Sequence, residues 1–233
     1  MKTERSGTSN LVIGIGQIGT AIQAVLRCDG HDPMKGKEAK GHYDTIHVCI
    51  PYNKDFISEV EKYKKLFTPK HVVVHSTVPV GTCRKVGATH SPVRGVHPFL
   101  EPGVRKFVKY FGGGSPSVMT DFQKSGITCV YTEKPETTEL MKLVDTTAYG
   151  LNILIEKEIK RLCDANDVPF DMVYTHANMT YNHGYEKLGM PQFSKYVLKH
   201  MDGKVGGHCV GSNVDLFDSW MCDVFKEQNG KLH

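Results

Sequence analysis

The stretch Asn10–Leu26, NLVIGIGQIGTAIQAVL, decides the fold. It opens with a short apolar run of the kind that forms a buried parallel strand. Gly14, Gly16 and Gly19 then follow in the spacing G-x-G-x-x-G, and apolar residues recur at helical spacing behind them. A strand, a glycine turn and a helix in this order predict a dinucleotide-binding βα unit. Gly14 permits the tight turn, Gly16 lets the backbone approach a pyrophosphate, and Gly19 allows close helix–strand packing.

The N-terminus of that helix brings backbone N–H groups, those of Gln17 and Ile18 among them, to the place where a phosphate would bind. In such sites an acidic residue about 20 residues on binds the adenosine ribose. Asp32 lies at about that distance, with Asp29 as its competitor, and a polar turn without a ligand is the alternative. An acidic residue here would favour NAD over NADP, because it repels a 2′-phosphate.

The apolar pattern beyond this unit predicts strands alternating with helices. Strands are predicted at Asp44–Pro51, His71–Ser76 and Ile127–Tyr131, with a helix at Asp55–Phe67. Helices between strands imply right-handed crossovers and a parallel sheet. From Glu136 to Asp164 the period is helical, over a length too great for a crossover. We therefore expect an α/β protein, with a Rossmann-like doubly wound parallel sheet in residues 1–134 and a long-helix, mainly helical domain in residues 135–233.

Composition and charge exclude several classes of protein. The 233 residues carry 29 Lys and Arg against 25 Asp and Glu, a formal charge of +4, and no basic run predicts a nucleic-acid or membrane partner. Seven cysteines, an odd number with no C-x-x-C pair, argue against a disulfide framework or a zinc site. No signal peptide and no apolar run of about 20 residues is present, so we expect a cytoplasmic protein without a metal.

Two further segments carry chemistry. Lys142 shares one face of the long predicted helix with Thr146 and Tyr149, where an ammonium could hold an oxyanion or move a proton. The alternative is a solvated lysine paired with a neighbouring acid on the same helix, Glu139 or Asp145. Further on, GGHC at 206–209 places a thiol after two glycines, where a substrate can approach it. The alternative there is a buried free cysteine.

These pieces, in this order, resemble the UDP-glucose/GDP-mannose dehydrogenase family over about residues 10–217. The glycine turn GIGQIG is similar to the family's dinucleotide motif. The other similar segments are VCIP at 48–51, STVPVGT at 76–82, ELMKL at 139–143, LCD at 162–164 and GGHC at 206–209. The resemblance implies NAD-dependent oxidation of a sugar-nucleotide primary alcohol to a carboxylate in two hydride transfers. It also implies a homodimer, since central helices pair two subunits in this family.

The resemblance assigns roles residue by residue. Cys209 would hold the aldehyde as a thiohemiacetal, Lys142 would stabilise the oxyanion, and Thr77 would help to position water. The matching strand-end segments would place four residues beside the cofactor: Ile50, Pro51, Ser76 and Thr77.

The chain also departs from the family pattern. Val93 stands where the family has a catalytic Glu, Thr146 where it has an Asn, and Asn213 where it has an Asp that can act as a base. Because the chain ends soon after Cys209, we expect the C-terminal domain that helps to bind the nucleotide to be missing. Two alternatives therefore stay open: a dehydrogenase of a smaller acid or alcohol, and a catalytically degenerate NAD-binding or interaction protein.

Overall fold

The computed structural model describes residues 9–95, 99–206 and 210–232. Within them, seven strands form one sheet in the order β2-β1-β3-β4-β5-β6-β7. The strands are β1 (Asn10–Ile13), β2 (Asp29–His31), β3 (Thr45–Val48), β4 (His71–Val74), β5 (Thr89–His90), β6 (Lys109–Gly112) and β7 (Cys129–Thr132). β1 to β5 are parallel, β6 is antiparallel to β5, and β7 is parallel to β6.

The α-helices of the described residues are α1 (Gln17–Leu26), α2 (Phe56–Phe67), α3 (Thr82–Lys85), α4 (Leu100–Lys106), α5 (Thr120–Lys124), α6 (Pro135–Ala165), α7 (Ala177–Lys187) and α8 (Trp220–Gly230). Of these, α1, α2 and α6 lie close to the predicted helices, and the other five were not predicted. Together with the sheet, the helices confirm the predicted Rossmann-like α/β fold, which a long helix follows in the chain.

The strands form where β-branched residues are buried on both faces of the sheet. β3 (TIHV) is buried along its whole length, and β4 (HVVV) along all but its first residue. Alternate side chains then serve two separate cores. Ile46 and Val74 pack with α2 on one face, while Val12 and Val73 pack with α1, α4 and α5 on the other. The sheet is thereby covered by helices on both sides, as a doubly wound fold requires.

The predicted strands are confirmed, but three strands were not predicted. β2 and β5 are only three and two residues long, too short for a period to show. β6 reads KYFG, and its lysine and glycine have a low propensity for strands, so its sequence does not indicate one. The prediction of a parallel sheet fails at one junction, since β5 and β6 run in opposite directions. Helix α4 lies between these two strands in the chain.

The chain divides into two compact units after Lys142. The first unit contains the sheet and the opening turns of α6. The second has its own small core, in which α8 packs against the preceding segment through Phe225, Val210 and Val214. Gly150 on α6 allows this packing, because a Cβ there would lie 2.5 Å from a Val210 methyl carbon and 2.8 Å from the Phe225 ring.

Across residues 9–95, 99–206 and 210–232, no helix combines the length and the apolar character needed to cross a bilayer.

Candidate functional site

The glycine turn between β1 and α1 has the geometry that a dinucleotide site needs. Gly14 has a φ of +83°, and a Cβ there would lie 2.9 Å from Cγ2 of Ile50. A Cβ on Gly19 would lie 1.9 Å from the Gly14 carbonyl oxygen, so the helix packs directly on the turn. A Cβ on Gly16 would meet nothing within 4 Å. Two glycines are therefore required by the fold, whereas the third faces open space.

Helix α1 begins at this open position. Gly16 is its N-cap, and α1 has neither a side-chain cap nor an acidic residue in its first turn. Gln17 is exposed and Ile18 is half-buried. The positive end of the helix dipole is therefore uncompensated by a carboxylate of its own first turn, which suits an incoming phosphate.

The two acidic candidates for the ribose lie at opposite ends of β2. Asp29 begins the strand, and its carboxylate accepts a hydrogen bond from the Tyr43 hydroxyl at 3.1 Å. Asp32 follows the strand at the carboxyl edge of the sheet. One of its oxygens accepts the Ile15 N–H at 2.9 Å, which joins it to the glycine turn. Lys35, in the turn behind Asp32, donates to the Ile15 carbonyl oxygen.

The ends of β3 and β4 continue this edge. The Ser76 hydroxyl is buried and donates to the Ile50 carbonyl oxygen at 2.5 Å, so it ties the end of β4 to the end of β3. Thr77 and Ile50 are half-buried, and Pro51 is exposed. The structure thus brings the predicted cofactor residues of the glycine turn, Asp32 and both strand ends to adjacent carboxyl ends of neighbouring strands. β1 pairs with β2 on one side and β3 on the other, and this is the topological switch point where such sheets bind ligands.

A buried histidine, His90, forms a hydrogen bond with the backbone at the end of β4. His90 Nε2 donates to the Ser76 carbonyl oxygen at 3.2 Å, and the Thr138 hydroxyl lies 2.9 Å from His90 Nδ1. Burial lowers the pKa of His90 to about 3, so the ring is neutral and carries one proton. With that proton on Nε2, Nδ1 accepts from Thr138. Sequence reasoning missed His90 and Thr138, because they are 48 positions apart and no motif near either one indicates their contact.

The opening turn of α6 holds the loop that leaves β4. Glu139 is fully buried. Its carboxylate accepts the N–H of Gly81 at 2.6 Å and the N–H of Cys83 at 2.7 Å. Glu136, one turn earlier, forms a two-point ion pair with Arg84 at the surface. Lys142 is half-buried one turn beyond Glu139. The carboxylate that the sequence offered as a surface partner for Lys142 therefore lies inside the fold.

The second unit brings together two of the predicted catalytic residues. Asn213 and Thr146 are both buried, although 67 positions separate them, and the Asn213 side-chain amide donates to the Thr146 hydroxyl at 3.2 Å. The Thr146 hydroxyl in turn donates to the Leu143 carbonyl oxygen at 3.1 Å. Cys209, the predicted nucleophile, lies outside the described residues.

A buried amine lies just behind the carboxyl ends of β4 and β5. Lys109 is 4% exposed, and its Nζ lies 3.1 Å from the Ser91 carbonyl oxygen and 3.3 Å from His75 Nδ1. The same nitrogen lies over two aromatic rings, 5.5 Å from the centre of Phe111 and 5.3 Å from that of Phe122. Burial lowers the pKa of Lys109 to about 7.

Across the described residues, no cluster of His, Cys, Asp and Glu has the form of a metal site.

Comparison with known proteins supports the resemblance at the level of the fold. No family model and no curated sequence matches the chain. The UDP-D-ManNAc dehydrogenase of Pyrococcus horikoshii matches in structure with a TM-score of 0.68 at 14% identity, over 95% of this chain and 68% of that chain. The UDP-glucose dehydrogenase of Pyrobaculum islandicum matches with a TM-score of 0.66 at 14% identity, over 99% and 66%.

A further match lies outside the sugar-nucleotide dehydrogenases. A reductive aminase from Aspergillus terreus, solved with NADPH4, cyclohexanone and allyl amine, matches with a TM-score of 0.51 at 13% identity, over 97% of this chain and 88% of that chain. All three likenesses concern the fold, which this chain shares with these oxidoreductases.

Proposed function

We propose that the chain is an NAD-dependent oxidoreductase that oxidises a CH–OH group, with a sugar nucleotide as its substrate class. The observation that carries the proposal is the glycine turn. Gly14 and Gly19 cannot carry a side chain, whereas Gly16 opens to free space at the N-terminus of a helix that has no side-chain cap. This combination fits a bound pyrophosphate, and a turn required only for packing would not need the open third position.

Residues along the edge of the sheet would hold the rest of the cofactor. The N–H groups at Gly16, Gln17 and Ile18 would bind the pyrophosphate. One carboxylate oxygen of Asp32 accepts the Ile15 N–H, and the other would bind the adenosine ribose. The negative charge of Asp32 would favour NAD over NADP, because it repels a 2′-phosphate. The strand ends carrying Pro51 and Thr77 would contact the nicotinamide half. When bound, the cofactor supplies the acceptor for a hydride.

The chemistry proposed for the substrate follows the motif resemblance. The alcohol hydroxyl would lose its proton to a base while the alcohol carbon gives a hydride to NAD, and an aldehyde results. The Cys209 thiolate would add to this carbonyl to give a thiohemiacetal, whose carbon gives a second hydride to a second molecule of NAD and leaves a thioester. Hydrolysis of the thioester then releases the carboxylate and restores the thiol. In this proposal, Lys142 stabilises the negative oxygen of the tetrahedral intermediates.

One observation favours a second candidate, a cofactor-binding protein without the full oxidation. The buried pair at Thr146 and Asn213 consists of a hydroxyl and an amide that bond each other. Neither group can take a proton from water near neutral pH. An Asp at 213 would supply that base, so the second oxidation and its hydrolysis step have lost one of their expected groups.

The test separates cofactor binding from turnover. Calorimetric titration with NAD and NADP measures binding, and we expect NAD to bind more tightly. Formation of NADH with a panel of UDP- and GDP-sugars measures turnover. Cys209→Ser should keep NAD binding and lose acid formation. Cys28→Ser, at the opposite end of β2 from the candidate site, is the matched thiol control and should change neither. If the wild type binds neither dinucleotide, the proposal is wrong; NAD binding without turnover supports the second candidate.

We further propose that the protein is a homodimer paired through α6. In the second unit this helix carries an exposed apolar stripe, Val144, Ile155 and Leu162, whose spacings of 11 and 7 residues are those of a coiled coil. Ile155 is 57% exposed and Leu162 45%. A second copy can cover the stripe by two-fold symmetry, since identical stripes are self-complementary. Light scattering after size exclusion should give a dimer, and Ile155→Glu with Leu162→Glu should give a monomer. A monomeric wild type would exclude this pairing.

A further inference from the structure

The loop that follows β4 is attached to α6 at both of its ends. This segment, Ser76–Gly81, is called the edge loop below. At its start, the Ser76 carbonyl oxygen accepts from His90, whose other ring nitrogen meets the Thr138 hydroxyl. At its end, the Gly81 N–H donates to Glu139. Thr138 and Glu139 are adjacent residues in the first turns of α6. The edge loop therefore cannot move relative to the start of α6 without breaking a buried hydrogen bond.

The Glu139 attachment is the stronger of the two. A fully buried carboxylate accepts two backbone N–H groups at 2.6 and 2.7 Å, one with each oxygen. Hydrogen bonds to an ionised acceptor are shorter and about twice as strong as neutral ones. Gly81 has a φ of +89°, so the chain turns sharply at the bonded N–H. The carboxylate thus holds the end of the edge loop in a conformation that few other residues could adopt.

Lys142 lies on the same stretch of helix. It is three residues beyond Glu139, which is about 4.5 Å along the axis at 1.5 Å per residue. The first turns of α6 are therefore one rigid piece, with the edge loop attached at one end and a half-buried lysine at the other.

We infer that Glu139 is a positioning residue that couples cofactor binding at the edge loop to the environment of Lys142. This inference rests on the proposed function, since it takes Ser76 and Thr77 as cofactor contacts and Lys142 as the group that acts on the substrate. Glu139 touches neither ligand and acts through the loop and the helix. A cofactor that orders the edge loop would thereby also order the turn that carries Lys142.

The test compares Glu139→Gln with Glu136→Gln. Glutamine at 139 keeps one acceptor but puts an NH₂ group against a backbone N–H, so one hydrogen bond is lost. Glutamine at 136 weakens the exposed ion pair to Arg84 on the same helix and serves as the matched control. Two quantities are measured in each protein: the Kd of NAD by calorimetry, and the rate of Lys142 acetylation by mass spectrometry, with and without saturating NAD.

In the wild type and in Glu136→Gln, NAD should slow the acetylation of Lys142. In Glu139→Gln we expect the Kd of NAD to rise about tenfold, as the loss of one charge-assisted hydrogen bond implies. We also expect the protection of Lys142 to be lost even when NAD is saturating. A purely structural role would lower the melting temperature of Glu139→Gln but leave that protection intact.

The possible results separate the two claims. A wild type that does not bind NAD refutes the proposed function. A wild type that binds NAD without protecting Lys142, or a Glu139→Gln protein that protects it as the wild type does, refutes the coupling alone. If Glu139→Gln does not fold, Glu139→Asp provides the same comparison, because its shorter carboxylate keeps the charge but cannot span both N–H groups. Protection retained in Glu139→Asp would then overturn the inference.

Discussion

Replacing Lys109 by methionine should stabilise the protein, and the gain should shrink as the pH rises. Lys109 is 4% exposed, and burial lowers its pKa from 10.5 to about 7. At about 1.4 kcal/mol per pKa unit, this difference corresponds to about 5 kcal/mol of unfavourable free energy for the protonated side chain. Methionine fills a similar volume without that charge. The Ser91 carbonyl oxygen, which loses the amine, lies 2.7 Å from His75 Nδ1, which can donate to it in place of the amine.

The sign of the pH dependence follows from proton binding. Between about pH 7 and the unfolded value of 10.5, the unfolded chain holds a proton on Lys109 that the folded protein has released. The contribution of Lys109 to the free energy of unfolding of the wild type therefore rises with pH across this range and is constant below it. From about pH 7 to pH 9, the rise amounts to about 2 kcal/mol. For a chain of this length that is about 4–8 °C in Tm.

Scanning calorimetry at about pH 7 and pH 9 measures this difference. The buried histidines contribute little in this window, because their unfolded pKa of about 6.5 lies below it, and burial lowers the pKa of His47 to about 3 and that of His75 well below its usual value. Burial raises the pKa of Cys83 well above its usual value, so this thiol lowers the stability as the pH approaches about 9. Both effects are the same in the wild type and in Lys109→Met, so the difference between the two proteins at each pH reports Lys109. Lys106→Met, an exposed lysine at the end of α4, is the control and should follow the wild type.

Lys109→Met should raise Tm at pH 7 by several degrees more than at pH 9. The cation–π contacts with Phe111 and Phe122 offset part of the gain, by about 2 kcal/mol each for a buried amine. A gain or loss that is the same at both pH values would refute the reasoning, because it would mean that Lys109 does not change protonation on folding.

Other substitutions test the site and the second unit. Gly19→Ala places a Cβ 1.9 Å from a backbone oxygen and should cost about 3 kcal/mol or more in denaturant unfolding. Gly16→Ala meets no neighbour within 4 Å, so it should unfold like the wild type yet bind NAD more weakly in calorimetry. Equal NAD affinity in Gly16→Ala would argue against a pyrophosphate there. Asp32→Asn keeps an acceptor for the glycine turn and removes the charge, and it should lower the ratio of NADP to NAD dissociation constants about tenfold; an unchanged ratio would remove Asp32 from the ribose site. Gly150→Ala forces a Cβ to 2.5 Å from Val210 and should cost about 1–3 kcal/mol in unfolding, whereas wild-type stability would mean that the second core yields easily.

Much of the first unit could be predicted because its signals are local. β3 and β4 are runs of β-branched residues that need burial on both faces, and the three glycines have a spacing that one backbone path explains. The 31-residue helix α6 shows its period over many turns. Each of these elements is specified by residues within a few positions of one another, and that is what a periodic pattern can report.

The residues that sequence reasoning missed are those whose partners lie far along the chain. Glu139 bonds the N–H of Gly81 across 58 positions, and read on its own it is a surface acid one turn from Lys142. Lys109 opens a strand beside a tyrosine and resembles an exposed edge residue. It is buried because the Phe122 ring and the Ser91 carbonyl group, which come from other parts of the chain, lie against its amine. Asp29 and Asp32 could be ranked only once β2 was seen to run between them.

Helix α6 has a consequence for how such a protein could be cut or recombined. Its first two turns belong to the sheet unit, through the buried side chains of Thr138 and Glu139. A fragment that stopped at the strand β7 would leave His90 without the Thr138 hydroxyl, and the N–H groups of Gly81 and Cys83 without the Glu139 carboxylate. The shortest fragment that keeps these contacts of the sheet unit therefore includes the start of α6 as far as Lys142. A gene fusion that exchanges the helical half must make its junction inside a continuous helix, in register, and not in the preceding turn.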